Sequence, residues 1–155
     1  MRKFIKGAAI FLMLTGVLVL SFSNIVLAGG IVLNDLESNP VNLSSLAGRP
    51  AILFFWTTWC PYCRTELRTL NKMYPQMEKE GLAVFAVNVG EAGYKVERFL
   101  KNYAINMRVL LDIKGQAAKN YEIGGVPTYI FLDKSGNVVL LEHRLPADYK
   151  SLLSE

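Results

Sequence analysis

Of the 155 residues, two are cysteines, Cys60 and Cys63, spaced C-x-x-C. Thiols three residues apart can close and reopen a disulfide between themselves, so the pair can carry two electrons. They stand where the apolar run Ala51 to Trp56 ends and a helical pattern begins. The unpaired N–H groups and dipole of a first helical turn favour a thiolate, which lowers the Cys60 thiol and makes it the candidate nucleophile. Cys63 lies one turn deeper on an apolar stripe with Leu67 and Leu70, where it is the candidate resolving thiol. As a staple the pair would do little, since closing a four-residue loop removes about 2 kcal/mol of chain entropy against about 3 for fifteen residues. A structural zinc site needs four ligands, and the chain offers two cysteines and His143.

Glu66 follows Cys63 by three residues, which puts the two side by side on one helix face. A carboxylate there is costly to ionise and suits a proton acceptor for the resolving thiol. The other reading is a glutamate that bends to water or pairs with Arg64 or Arg68. His143, the one histidine, is expected on a solvated loop, and Phe54, Phe55 and Trp56 are expected in the core, not around a cofactor.

These residues need a frame. Ala51 to Trp56 and Leu82 to Val89 are apolar runs of strand length, which implies strands buried on both faces, as in a parallel sheet covered by helices. Between them positions 63, 66, 67, 70, 73, 74 and 77 repeat at helical spacing, with Arg64, Arg68 and Lys72 opposite. The unit is strand, crossover helix, strand, and Pro75 is expected to kink or end the helix. Val96, Phe99, Leu100 and Tyr103 predict a second helix, 108–111 a short strand and 116–121 a short helix. Thr128 to Leu132 and Asn137 to Leu141 flank Asp133-Lys134-Ser135-Gly136, a hairpin signal, so the sheet is mixed and the class α/β. Val32 to Leu46 reads as a lead-in of short extended pieces.

The N-terminus has a different character. Arg2, Lys3 and Lys6 precede Gly7 to Leu33, which carries no charged side chain. Ala8 to Leu20 has the length of a signal-peptide core, and Val26-Leu27-Ala28 offers a cleavage site before Gly29. The competing reading is an uncleaved anchor, because Gly7 to Val26 is long enough for about 30 Å of hydrocarbon. Either way the basic flank keeps the N-terminus inside and sends the rest of the chain out of the cytoplasm. No cysteine stands directly after the cleavage site, so a lipoprotein anchor is not expected. The expected organisation is 1–28 as signal or anchor and 29–155 as one domain. Without residues 1–28 the net charge falls from +4 to +1, by the loss of three basic residues, and nothing then calls for a nucleic-acid partner.

Trp59-Cys60-Pro61-Tyr62-Cys63 at a strand-to-helix junction, with Gly125-Val126-Pro127-Thr128 opening a later strand, resembles the thioredoxin superfamily. Across 30–145 the order of elements, the insert from Glu91 to Tyr121 and the closing hairpin resemble its TlpA/ResA-like extracytoplasmic branch. The resemblance implies a thioredoxin-like fold, a mixed central sheet with helices on both faces. It implies a cis Val126–Pro127 bond whose backbone faces the cysteines and pairs with a bound substrate segment. Trp59, Pro61 and Tyr62 are expected to meet that substrate beside them. The acidic residue near the active site of this branch corresponds to Glu66. The expected redox group is the Cys60–Cys63 disulfide, with no separate cofactor and no metal. The implied partners are cysteines of exported proteins, apocytochrome c among them, a membrane thiol electron donor, and the membrane itself if the N-terminal segment is retained.

Two departures leave the direction of electron flow open, and with it a disulfide-donating oxidase. Pro61 follows the first cysteine, whereas the branch has proline before the second, and Leu67-Arg68 replaces a hydrophobic-proline pair. A rival of another class is a thioredoxin-fold copper chaperone using both thiolates and His143, although such proteins space their cysteines by three residues. Thr57, three before Cys60, matches a peroxiredoxin feature, but that motif's proline would fall at Leu53.

Overall fold

All six residues of the strand Ala51–Trp56 are fully buried, as an uninterrupted apolar run requires when both faces of a sheet are covered. In the computed structural model, which describes residues 30–151, this strand is β3. It lies inside a seven-stranded sheet, and each large side chain it buries contributes roughly 1.5–3 kcal/mol. The other strands are β1 (Val32–Asp35), β2 (Pro40–Asn42), β4 (Ala83–Val89), β5 (Arg108–Asp112), β6 (Thr128–Leu132) and β7 (Val138–Glu142). The helices are α1 (Pro61–Lys79), α2 (Gly93–Leu100) and α3 (Gln116–Asn120), with a 3-10 turn at Leu43–Leu46.

The spatial order is β2-β1-β5-β4-β3-β6-β7. β3, β4 and β5 run parallel, joined through α1 and α2, and the four outer strands pair antiparallel, so the sheet is mixed as expected. Alternation along β3 divides the core. Ile52, Phe54 and Trp56 pack with Cys63, Leu67, Leu70 and Met77 of α1 and Val96 of α2. Leu53 and Phe55 pack on the other face with Ala117 of α3 and with Leu43 and Leu46. Helices therefore cover both faces.

Of the two expectations for Pro75, a kink or an end, the end is not what happens: the helix continues to Lys79 and Met77 is fully buried. A proline in a helix interior costs about 3 kcal/mol, through the lost backbone hydrogen bond and the clash of its ring with the carbonyl four residues back. The apolar stripe through Leu67, Leu70 and Met77 offsets that cost.

Two local devices hold the ends of the sheet. In the β6–β7 hairpin Asp133 Oδ1 accepts the N–H groups of Ser135 and Asn137, both at 2.8 Å, and Gly136 takes the positive φ (84°) that the turn demands. On the far side Asp35 Oδ2 meets Arg108 Nη2 at 2.6 Å, tying β1 to β5. Burial would raise the Asp35 carboxyl, but Arg108 and the Asn39 N–H outweigh it and hold it below the ordinary value. The signal or anchor at 1–28 falls outside the described residues. Among the described residues no helix is long and apolar enough to cross a membrane.

Candidate active site

β3 ends at Trp56, and after a turn Cys60 caps α1: its Sγ accepts the Cys63 N–H at 3.1 Å, with Pro61 as the first helical residue. Proline suits that position because its missing N–H would go unpaired anyway. The two cysteines are joined as a disulfide, with Cα atoms 5.3 Å apart. Cys63 is fully buried on the core side of α1, while Cys60 keeps a 4% opening to solvent. A more open sulfur above a shielded one is the arrangement that an attacking and a resolving thiol would need. In the reduced protein the same N–H would be aimed at a Cys60 thiolate, favouring its charged form.

The Val126–Pro127 bond is cis, as the resemblance implied, and the Val126 carbonyl oxygen stands 3.7 Å from Cys60 Sγ. Val126 and Pro127 therefore border the disulfide. Trp59 and Tyr62 present strongly exposed rings on either side of Cys60, and Pro61 is exposed between Cys60 and Tyr62. Trp56, by contrast, is fully buried and meets Phe99 at a tilt of 45°, with ring centroids 5.6 Å apart. It belongs to the core, as do Phe54 and Phe55.

Glu66 is half-buried and pairs with neither arginine. Its Oε2 accepts the Tyr129 hydroxyl at 3.0 Å and the Leu145 N–H at 3.3 Å, not Arg64 or Arg68. Those two arginines lie over aromatic rings instead, Arg64 over Phe99 and Arg68 over Tyr103. Burial pushes the Tyr129 hydroxyl far up, and the neighbouring Glu66 charge adds to it, so Tyr129 stays a proton-bearing donor. Glu66 is thus held in place one turn beyond the buried sulfur.

His143 lies on an exposed bend after β7, as expected, and makes two contacts besides. It is exposed, but its Nδ1 lies 2.8 Å from the Pro127 carbonyl oxygen and 3.2 Å from Thr128 Oγ1, so it braces the proline loop. The reason is register: β7 pairs Glu142 with Tyr129, which delivers the next residue to the start of β6. A groove of about 450 Å³ opens there, lined by Tyr62, Thr65, Glu66, Pro127, His143 and Arg144. Among the described residues no three His, Cys, Asp or Glu side chains gather as metal ligands.

The model of the AhpC/TSA family matches residues 28–141. The chain belongs to that family. Within it, the thioredoxin-superfamily fold and the C-x-x-C pair agree with named relatives. The thiol-disulfide oxidoreductase ResA of Geobacillus thermodenitrificans is 36% identical over 107 residues, which cover 69% of this chain and 62% of that protein. The chain therefore spans about three fifths of the length of that relative. A solved structure from Chlorobium tepidum, described as a thiol:disulfide interchange protein DsbE, is similar at TM-score 0.70 and 31% identity, covering 81% of this chain and 89% of that one. StoA from Bacillus subtilis is similar at TM-score 0.68 and 26% identity, covering 81% and 96%.

In this AhpC/TSA member the sequence reading missed one group entirely. Glu91 reaches back from the end of β4 to the loop before Cys60. Its Oε2 accepts the Thr58 N–H at 2.7 Å and Asn88 Nδ2 at 2.9 Å, and its Oε1 accepts the Thr58 hydroxyl at 2.7 Å. Arg64 completes the clamp by donating through Nε and Nη2 to the Thr58 carbonyl. Burial would raise the Glu91 carboxyl, but the Thr58 and Asn88 bonds hold it below the ordinary value. The signal was present in the sequence: Asn88 is a polar side chain in an apolar strand, fully buried, and so in need of a nearby partner.

Proposed function

We propose that the chain is an exported protein thiol–disulfide oxidoreductase. The observation that carries this is the sulfur of Cys60 at the α1 N-terminus, taking the Cys63 N–H and facing Val126, with Cys63 sealed beneath it. In the reducing direction the Cys60 thiolate attacks a substrate disulfide, forming a mixed disulfide and releasing one substrate thiolate. Cys63 loses its proton to Glu66 and attacks Cys60 Sγ, which expels the second substrate thiolate and leaves the Cys60–Cys63 disulfide. Two electrons pass to the substrate, and the oxidised pair needs a dithiol donor to restart.

Backbone at Val126 and Pro127 holds the substrate segment, with Pro61 and Tyr62 beside it and Trp59 at the outer edge of the contact. The likeness to ResA and DsbE supports reduction, with cysteines of exported proteins such as apocytochrome c as substrates and a membrane thiol carrier as donor. The basic-then-apolar N-terminus supports export. The test is the reduction potential of the Cys60/Cys63 couple, together with insulin reduction. A value at or below that of thioredoxin, about −270 mV, is expected, and one near the DsbA value of about −120 mV would reverse the direction. Insulin reduction that survives Cys60→Ser would overturn the assignment.

A further inference from the structure

The exposed large apolar side chains among the described residues fall in two places. Val138, Val139 and Leu141 lie on the edge strand β7. The others sit at the active-site end of the sheet: Trp59 (68% exposed), Tyr94 (61%), Ile113 (55%) and Val32 (52%), with Tyr62 beyond them. Register places them together. Trp56, Asn88 and Leu111 lie side by side, and β4 and β5 end together one residue further on, at Val89 and Asp112. Antiparallel β1 pairs Asn34 with Leu111, which carries Val32 past that same end, next to Ile113. Val32, Ile113 and Gly93, the residue before Tyr94, line one cleft. The Thr58–Glu91 bonds close the remaining gap between the α2 entrance and Trp59.

This rim is also where the chain enters the fold. Val32 is the first residue of β1, and the sequence from Gly7 to Leu33 carries no charge. From Val26, the end of a membrane-length segment, to Val32 is six residues, a reach of at most about 20 Å when fully extended. Tryptophan and tyrosine favour the membrane–water interface, where a flat ring meets lipid and its polar edge meets water. Lys95 and Lys114 are exposed beside Tyr94 and Ile113, where they suit anionic headgroups, and Glu97 lines the cleft behind them.

We propose that the rim Val32–Ile113–Tyr94–Trp59 rests on the lipid bilayer, with the N-terminal apolar segment retained as its anchor. The disulfide then sits at the level of the membrane surface, where a membrane-embedded dithiol can reach it. The groove beside Pro127 and His143, on the far side of Tyr62, stays open to substrate. The proposal rests on the export reading above and takes the retained form of the N-terminal segment.

The full chain is reconstituted into phosphatidylcholine–phosphatidylglycerol vesicles whose acyl chains carry bromine close to the headgroups. Trp56 is buried, so the difference between the wild type and Trp59→Phe isolates Trp59 emission. The expected result is flotation with the vesicles and loss of Trp59 emission relative to unbrominated vesicles. The double variant Tyr94→Glu/Ile113→Glu should regain that emission while still floating and still reducing insulin. A chain that floats with Trp59 unquenched overturns the docked rim and leaves the anchor standing. One that does not float overturns both. Absence of insulin reduction would count against the redox reading alone.

Discussion

Glu91→Gln is the most informative single change, because it keeps the shape of the clamp while removing its charge. At neutral pH the Glu91 carboxylate accepts three hydrogen bonds, two from Thr58 and one from Asn88. Hydrogen bonds to a charged group contribute roughly 1.5–3 kcal/mol each, and a buried donor left unpaired costs about 1–3. Glutamine can keep all three partners, its oxygen in the Oε2 place and its amide donating to a Thr58 hydroxyl that turns to accept, but each bond then falls from the charged to the neutral range of about 0.5–1.5 kcal/mol. The expected loss of stability is about 2–4 kcal/mol at pH 7, a large part of the 5–15 kcal/mol typical of a whole domain. At roughly 4 °C per kcal/mol, the melting temperature should drop by about 10 °C. The pH dependence fixes the cause. The folded Glu91 carboxyl lies below its ordinary value, so its contribution is complete above the unfolded pKa of about 4.3 and fades as pH falls through the lower folded one. Urea unfolding at pH 7, 5 and 3 should therefore show the wild type and the variant converging in acid. A difference below about 0.5 kcal/mol at pH 7, within the range of ordinary surface substitutions, or one that persists unchanged at pH 3, refutes the clamp.

Cys63→Ser should accumulate mixed disulfides through Cys60 and stop multiple turnover, which non-reducing gels and insulin reduction would record; continued turnover would mean the roles are reversed. Tyr129→Phe removes the hydroxyl that holds Glu66, so it should slow resolution in the same sense as Glu66→Gln, and stopped-flow decay of a mixed disulfide compares the two. Asp35→Asn should cost about 1–3 kcal/mol through the lost Arg108 contact, with the deficit shrinking in acid because the folded Asp35 carboxyl is also lowered; urea titration at two pH values measures it. Leu67→Ala, at a fully buried position under the disulfide, should cost about 2–5 kcal/mol by calorimetry.

The sequence made the parallel core legible because a strand buried on both faces has no choice but to be apolar throughout, as β3 and β4 are. It made Cys60 and Cys63 legible because a helix terminus and a thiol pair act through neighbours a few residues apart. Contacts between distant segments were not legible. Glu91 meets Thr58 across 33 residues, Glu66 meets Leu145 across 79, and His143 reaches Pro127 only because the β6–β7 register sets it there. Pro75 was read from a local rule, the lost i to i−4 hydrogen bond, and the packing of Met77 overrode it. Each miss is one in which tertiary structure supplied the partner.

The same distinction explains where the chemistry sits. Apart from Asp35, the buried polar side chains, Thr57, Asn88, Glu91, Asp112 and Thr128, all lie at the end of the sheet that carries Cys60. Most of their oxygens are satisfied: Asp112 by the Ala118 N–H, Thr128 by the Gly125 carbonyl, Glu91 by its three donors. Thr57 Oγ1 and Asn88 Oδ1 have no partner among the described residues, and such groups cost about 1–3 kcal/mol each. The opposite end, with Leu132 paired to Ala51 and Ala51 to Ala83, needs no such arrangement. Stability is thus concentrated in the apolar middle, and the disulfide occupies the end where the backbone is fixed by a few specific polar bonds. A loop held by Glu91 and Arg64 can keep Cys60 aligned with Val126 and yet move when those bonds rearrange, which a site embedded in close-packed leucine and phenylalanine could not do.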